Sequence, residues 1–232
     1  MNRKEKKKLK EWIPEEPLKK QRKGGAVKLI LISLMLEAAR MKEEGMDVIS
    51  IEASGKKAFG ISKGFLTLMD EVGIPEFMEE VGALYNPSSD DPIFKYYQNF
   101  FQPPQTLVDM NDRYQKTDDK SSVKWISEEK AQMESSDLMV LEMLKKRFQA
   151  VAFMVSSEVV QAGVMEMKDV ERLCQKYLGW KEGPFTMMNR IGIKESLKMV
   201  TEKMELSHKK EINFPISRLL IKQAQQNTPW EI

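Results

Sequence analysis

Apolar residues recur at helical spacing along most of the chain, and no segment alternates apolar and polar positions as a half-buried strand would. From Val27 to Glu44 the pattern is apolar nearly all round, with Leu29, Ile30, Leu31, Ile32, Leu34, Met35 and Leu36 in close succession. That composition predicts a helix covered on most sides, closed by Gly45. A shorter helix is expected from Ser50, as its N-cap, to Ala58, weakened by Gly55. Leu66, Met69 and Val72 predict a short helix between two glycines, and Glu76 to Val81 continues as helix. Ala83 to Ser136 is the least regular part. Asn86 to Pro92 reads as loop, and Phe94, Tyr96, Tyr97, Phe100 and Phe101 read as aromatics packing onto the core. A second long helix is expected from Asp137 to Ala162, with Leu141, Leu144, Phe148, Val151, Ala152, Val155 and Val159 on one face and Gly163 as its cap. Helices from Met167 to Tyr177, Lys194 to Met204 and Phe214 to Gln226 follow, the last opening near Pro215.

The stretch LGWKEGPFTMMNRIGI, Leu178 to Ile193, has a near-copy 119 positions earlier, FGISKGFLTLMDEVGI, Phe59 to Ile74. Gly60, Gly64, Thr67, Met69, Gly73 and Ile74 recur as Gly179, Gly183, Thr186, Met188, Gly192 and Ile193 without a gap. Three glycines held in register imply one backbone path made twice, because glycine marks turns and close backbone approach. The predicted unit is helix, glycine turn, short helix, glycine turn. An all-α chain of two tandem helical domains follows: a basic tail at 1–23, a first domain at 24–112, a linker at 113–136 and a second domain at 137–232.

Leu178-Gly179-Trp180, Gly183-Pro184-Phe185 and the apolar run into Ile191-Gly192-Ile193 resemble the C-terminal helical domain of 3-hydroxyacyl-CoA dehydrogenases. The first copy keeps the frame with Gly64-Phe65-Leu66, and Leu36 to Gly45 resembles the end of that family's first domain helix. Tandem copies of this domain form the C-terminal part of fused enoyl-CoA hydratase/3-hydroxyacyl-CoA dehydrogenase enzymes. The resemblance spans about residues 24–222 and implies a pseudo-symmetric fold like the C-terminal domain of 6-phosphogluconate dehydrogenase. Two positions depart from it. Where the family carries a glycine-rich GRKTGKGFY segment, Lys116 to Trp125 has no glycine. Where the family places a substrate-side Asn in a GFIVNR segment, alignment through Glu37-Ala38 puts Lys28. A lysine cannot accept a hydrogen bond as an amide oxygen does, but it could pair with a CoA phosphate.

Charge adds a tail property to this picture. Ten Lys/Arg against four Glu leave residues 1–23 at +6, and the rest of the chain at −4. The basic tail reads as solvated by default, with an acidic partner surface as its alternative; no nucleic-acid motif accompanies it. The 17 methionines suit irregular helical cores. One cysteine, Cys174, excludes an internal disulfide, fits a reducing compartment such as the cytoplasm, and reads as a small buried residue. One histidine, His208, reads as exposed and leaves little scope for a His-based metal site or triad. No signal peptide is expected, the start at Met1 reads as a native beginning, and the run Leu29 to Leu36 is far short of a membrane span.

The family's reaction is hydride transfer with NAD, bound on a Rossmann domain with a G-x-G-x-x-G loop. That loop and the family's catalytic His and Glu have no counterpart here, and Glu43/Glu44, Asp90/Asp91 and Asp118/Asp119 are adjacent rather than facing carboxylates. No catalytic or metal residue is therefore assigned, and Lys28 is the one candidate substrate contact. Two functions are expected. One is the helical half of a split, β-oxidation-type 3-hydroxyacyl-CoA dehydrogenase, whose NAD sits on a Rossmann partner chain. The other is a non-catalytic acyl-CoA-binding or assembly protein of the same descent. Homo-oligomerisation is compatible with either; a transmembrane segment or a nucleic-acid partner is not expected.

Overall fold

A computed structural model describes residues 21–86 and 98–232, with side chains from residue 25 onward. Its eleven described α-helices are α1 Gln21–Glu43, α2 Val48–Phe59, α3 Phe65–Val72, α4 Ile74–Tyr85, α5 Gln105–Lys116, α6 Glu128–Gln132, α7 Leu138–Gln161, α8 Met167–Leu178, α9 Pro184–Ile191, α10 Ile193–His208 and α11 Arg218–Gln226. Short 3-10 turns lie at Gln98–Phe101 and Lys120–Ser122, and no strand occurs among the described residues. The aromatic run splits: Phe94, Tyr96 and Tyr97 lie outside the described residues, while Phe100 and Phe101 are buried.

The five helices of the first copy reappear in order in the second. α1 packs on α3 and α5 as α7 packs on α9 and α11, and α4 meets α5 as α10 meets α11. The same relationship crosses the copies: α2 packs on α7, α8 packs on α1, and α1 packs on α7. The copies therefore interlock rather than follow one another as beads. The physical cause lies in the two long helices. Every side chain from Ala26 to Met41 except Lys28 is buried, and so is every one from Arg147 to Ser157. A helix buried all round needs neighbours on every side, and one copy's short helices cannot supply them. Each Leu or Ile covered contributes roughly 1.5–3 kcal/mol, so docking of the copies follows from α1 and α7.

The glycine turns have matching backbones. Gly60 and Gly179 both have φ 69°, and Gly73 and Gly192 have φ 100° and 101° with ψ 138° and 134°. Positive φ is strained for other L-residues, which is why glycine recurs in these places. The first and second turns meet across the copies: the Lys181 N–H donates to the Phe59 carbonyl at 2.9 Å, and the Trp180 ring stacks on Phe59 at 4.1 Å.

Several expected boundaries move. The N-cap of α2 is Asp47, whose carboxylate accepts from the Ser50 N–H at 3.0 Å; Ser50 itself is inside the helix. α11 opens at Arg218, four residues later than the expected start at Phe214, with Ser217 as its N-cap: the Ser217 hydroxyl accepts from the Leu220 N–H, and Phe214 is a buried aromatic. Gly55 has a packing reason inside α2: a Cβ there would lie 2.9 Å from the Phe65 ring. Its counterpart 119 residues on is Cys174, also small and fully buried.

The segment 113–136 carries the end of α5, a 3-10 turn, α6 and three buried side chains, Val123, Trp125 and Ile126. Its turn is closed without glycine, by the Asp119 carboxylate accepting from the Ser121 N–H at 3.1 Å.

Candidate functional site at the junction of the copies

The first feature that sequence reasoning missed is a pair of buried carboxylates. Glu52 on α2 and Glu171 on α8 are 119 residues apart and 1% and 4% exposed. Glu52 accepts from the backbone N–H groups of Gly64, Leu66 and Thr67 at 2.8, 3.2 and 3.3 Å, and from the Thr67 hydroxyl. Glu171 accepts from Phe185 and Thr186 at 2.8 and 3.0 Å. Each carboxylate caps the N-terminus of the next short helix, where free N–H groups and the helix dipole favour an anion. The preceding glycine is required by this approach: a Cβ on Gly64 or Gly183 would fall 2.6 or 2.3 Å from the carboxylate. Extending the 119-residue register beyond the glycine stretch would have revealed the pair.

A second repeated contact ties distant chain to the short helices. Asp70 on α3 accepts from the Trp125 and Ile126 N–H groups at 2.8 and 3.1 Å. Its counterpart Asn189 on α9 accepts from the Trp230 N–H at 2.7 Å and donates to the Trp230 carbonyl at 3.0 Å. Burial pushes the Asp70 carboxyl up to about 6, against the pull of the two N–H groups.

The third feature is a charge cluster where α1, α7 and α10 meet. Arg147 donates to Glu37 Oε1 through Nε and Nη2 at 2.9 and 2.6 Å, and to Glu44 through Nη1 and Nη2 at 2.5 and 2.9 Å. Lys203 approaches Glu37 Oε2 at 3.0 Å, and Lys210 pairs with Glu44 at 2.6 Å. Arg40 donates to the carbonyls of Phe100 and Gln102 and lies over the Phe100 ring. Burial pushes Glu37 up, but Lys203, Arg147 and Arg40 outweigh it and hold the carboxyl below its ordinary range. Half-buried Glu44 is held at about 2 by hydrogen bonds from Arg147 and Lys210, which outweigh its desolvation. Burial drives Lys203 below the usual lysine range; Glu37 opposes this, while Arg147 and Arg40 reinforce it. The cluster joins the copies through residues more than 100 positions apart, and both of its carboxylates face two cations.

Lys28, the candidate substrate contact, lies on α1 and pairs with Glu80 on α4 at 2.5 Å. Its counterpart in the second copy is Arg147 of the cluster. The two thus share a helix position but serve different partners, and the structure does not bring Lys28 into the junction cluster. Cys174 is enclosed, and desolvation raises its thiol well above the ordinary range, so it is unsuited to nucleophilic work. His208 is exposed at the end of α10. No group of three His, Cys, Asp or Glu side chains suited to a metal ion occurs among the described residues, and no described helix is long and apolar enough to cross a membrane. The interior carboxylates described above each accept from backbone or side-chain donors, as helix caps, chain ties and ion pairs.

A family model described as 3-hydroxyacyl-CoA dehydrogenase, C-terminal domain, matches residues 24–121 and again residues 143–228. A search of curated proteins found no match. The two matched segments take in both copies of the five-helix unit, and this all-α chain belongs to the family of 3-hydroxyacyl-CoA dehydrogenase C-terminal domains.

Proposed function

We propose that the chain is the helical half of a split 3-hydroxyacyl-CoA dehydrogenase of the fatty-acid β-oxidation type. In this reading it completes the acyl-CoA cleft and the assembly interface, and a Rossmann domain on a partner chain brings NAD and the catalytic residues. The observation that carries the reading is the family match over both copies, together with a described interior whose carboxylates are all engaged as caps and ion pairs. The chain alone is then expected to show no turnover of acetoacetyl-CoA with NADH, and co-purification with a Rossmann-domain chain to restore it. Clear activity of the purified chain would overturn the proposal.

One observation favours a second reading, a non-catalytic acyl-CoA-binding or assembly protein. Lys28 stands where the family has its substrate-side Asn and already has a carboxylate partner in Glu80. Titration of the chain with acetoacetyl-CoA, with Lys28→Ala alongside, bears on both readings. Unchanged affinity in the variant removes Lys28 from the site. Binding of acyl-CoA without any activating partner chain supports the second reading over the first.

A further inference from the structure

The charges buried at the junction of α1, α7 and α10 do not balance. Arg40, Arg147 and Lys203 are 3%, 8% and 4% exposed, and the one carboxylate fully buried with them is Glu37. Half-buried Glu44 brings a second negative charge, but Lys210 brings a fourth positive one. Four cations therefore meet two carboxylates. Glu43, next along the chain, is exposed and accepts from the Gln105 N–H at 2.7 Å. Arg147 and Lys203 approach the two oxygens of Glu37, whereas Arg40 has no ion pair among the described residues. Arg40 is held by the carbonyls of Phe100 and Gln102 and by the Phe100 ring, 4.9 Å from its guanidinium carbon. The fold does not demand this excess: Leu84 stands in the first copy where Lys203 stands in the second.

A second observation points the same way. Arg40 Nη1 is buried and has no hydrogen-bond partner. Glu37 Oε2, the neighbouring buried atom without an aligned hydrogen bond, already has the Lys203 charge at 3.0 Å. Lys203 Nζ carries three donors; Ser207 takes one at 3.0 Å and Glu37 draws another. Lys203 lies 5.5 Å from the centre of the Phe214 ring, and that ring meets Phe100 edge-to-face at 5.7 Å. The two buried rings bring Arg40 and Lys203 to one dry place. Burial pushes Lys203 below the usual lysine range, and the charges of Arg147 and Arg40 add to this. An orphaned buried donor calls for a water or an ion. Water would satisfy the N–H and leave the excess charge, whereas an anion answers both. Glu37 repels a polyvalent anion at this depth, so a small, singly charged one fits best. We propose that Arg40 and Lys203 bind a small inorganic monoanion of the chloride class, which ties α1 of the first copy to α10 of the second.

Thermal melts of the full chain in sodium chloride and in sodium gluconate test this at matched ionic strength, where general screening is equal. Chloride is expected to raise the melting temperature by about 2–4 °C over gluconate, and the rise should saturate as binding to the folded state requires. Lys203→Leu and Arg40→Met are each expected to lose that increment and to keep the general salt effect. Crystals of the unaltered chain grown in bromide give a readout that does not depend on either variant folding. An anomalous peak is expected within hydrogen-bond reach of Arg40 Nη1 and Lys203 Nζ. Equal melting in the two salts, an increment that either variant retains, or a bromide map without that peak overturns the proposal. So does a water joining Arg40 Nη1 to Glu37 in that map. None of these outcomes bears on the split-dehydrogenase reading.

Discussion

Arg147 on α7 donates two hydrogen bonds to a single oxygen of Glu37 on α1, across the junction between the copies. Glu37 is fully buried and Arg147 only 8% exposed, so each group depends on the other for its solvation. Removing one partner of such a pair leaves the other charge in the interior, at a cost of about 3–5 kcal/mol. Arg147→Met is therefore expected to lower stability by about 3 kcal/mol, toward the lower end because Lys203 still faces Glu37. Urea unfolding of both proteins measures it; a loss below about 1 kcal/mol would show that the pair does not hold the copies together.

Gly64 and Gly82 predict opposite outcomes for the same substitution. Gly64→Ala places a methyl 2.5 Å from the Glu52 carbonyl and 2.6 Å from its carboxylate, and backbone cannot easily yield. Gly82→Ala within α4 meets nothing within 4 Å. The first should destabilise by about 1–3 kcal/mol through overpacking, while the second should stabilise by about 0.5–1 kcal/mol through helix propensity. Thermal melts of the two variants side by side would reveal an error if both moved the same way.

Glu52 and Glu171 share a role but not a burden. Glu52 accepts from three backbone N–H groups and a hydroxyl, whereas Glu171 accepts from two N–H groups. Hydrogen bonds to a charged acceptor contribute about 1.5–3 kcal/mol, and Gln retains only one acceptor oxygen. Glu52→Gln is expected to cost more than Glu171→Gln. Equal losses in chemical denaturation would show that the extra donors contribute nothing.

Stability against pH should carry two opposite slopes. Glu44 titrates at about 2 in the folded chain against 4.5 for the free side chain, so its contribution is present above pH 4.5 and is lost as pH falls toward 2. Asp70 is shifted the other way, from 3.8 up to about 6, so the folded state binds the extra proton and stability declines as pH rises through that window. Asp70→Asn should flatten the decline between pH 4 and 6 and leave the acid limb in place. If the decline persists unchanged in the variant, a group other than Asp70 is responsible.

The sequence by itself determined the two long helices, the short helices of the repeat and the glycine turns, but not α5 and α6, which lie in the stretch that reads as least regular. Helical spacing in α1 and α7 records which residues must be covered, and Gly60, Gly73, Gly179 and Gly192 record positive φ, because both are properties of a few neighbouring residues. The buried state of Cys174 and the exposure of His208 were legible for the same reason. What covers the long helices was decided only by the tertiary structure. Glu37 and Arg147 look in the sequence like ordinary charged positions on two helices, yet they meet because α1 docks on α7. Glu52 and Glu171 gain their role only when the turn that follows each helix folds back and brings its N–H groups to them. Short-range periodicity carries no information about which distant donor will arrive, since that depends on the docking of whole elements. The tie between Asp70 and Trp125, 55 residues apart, depends on docking in the same way.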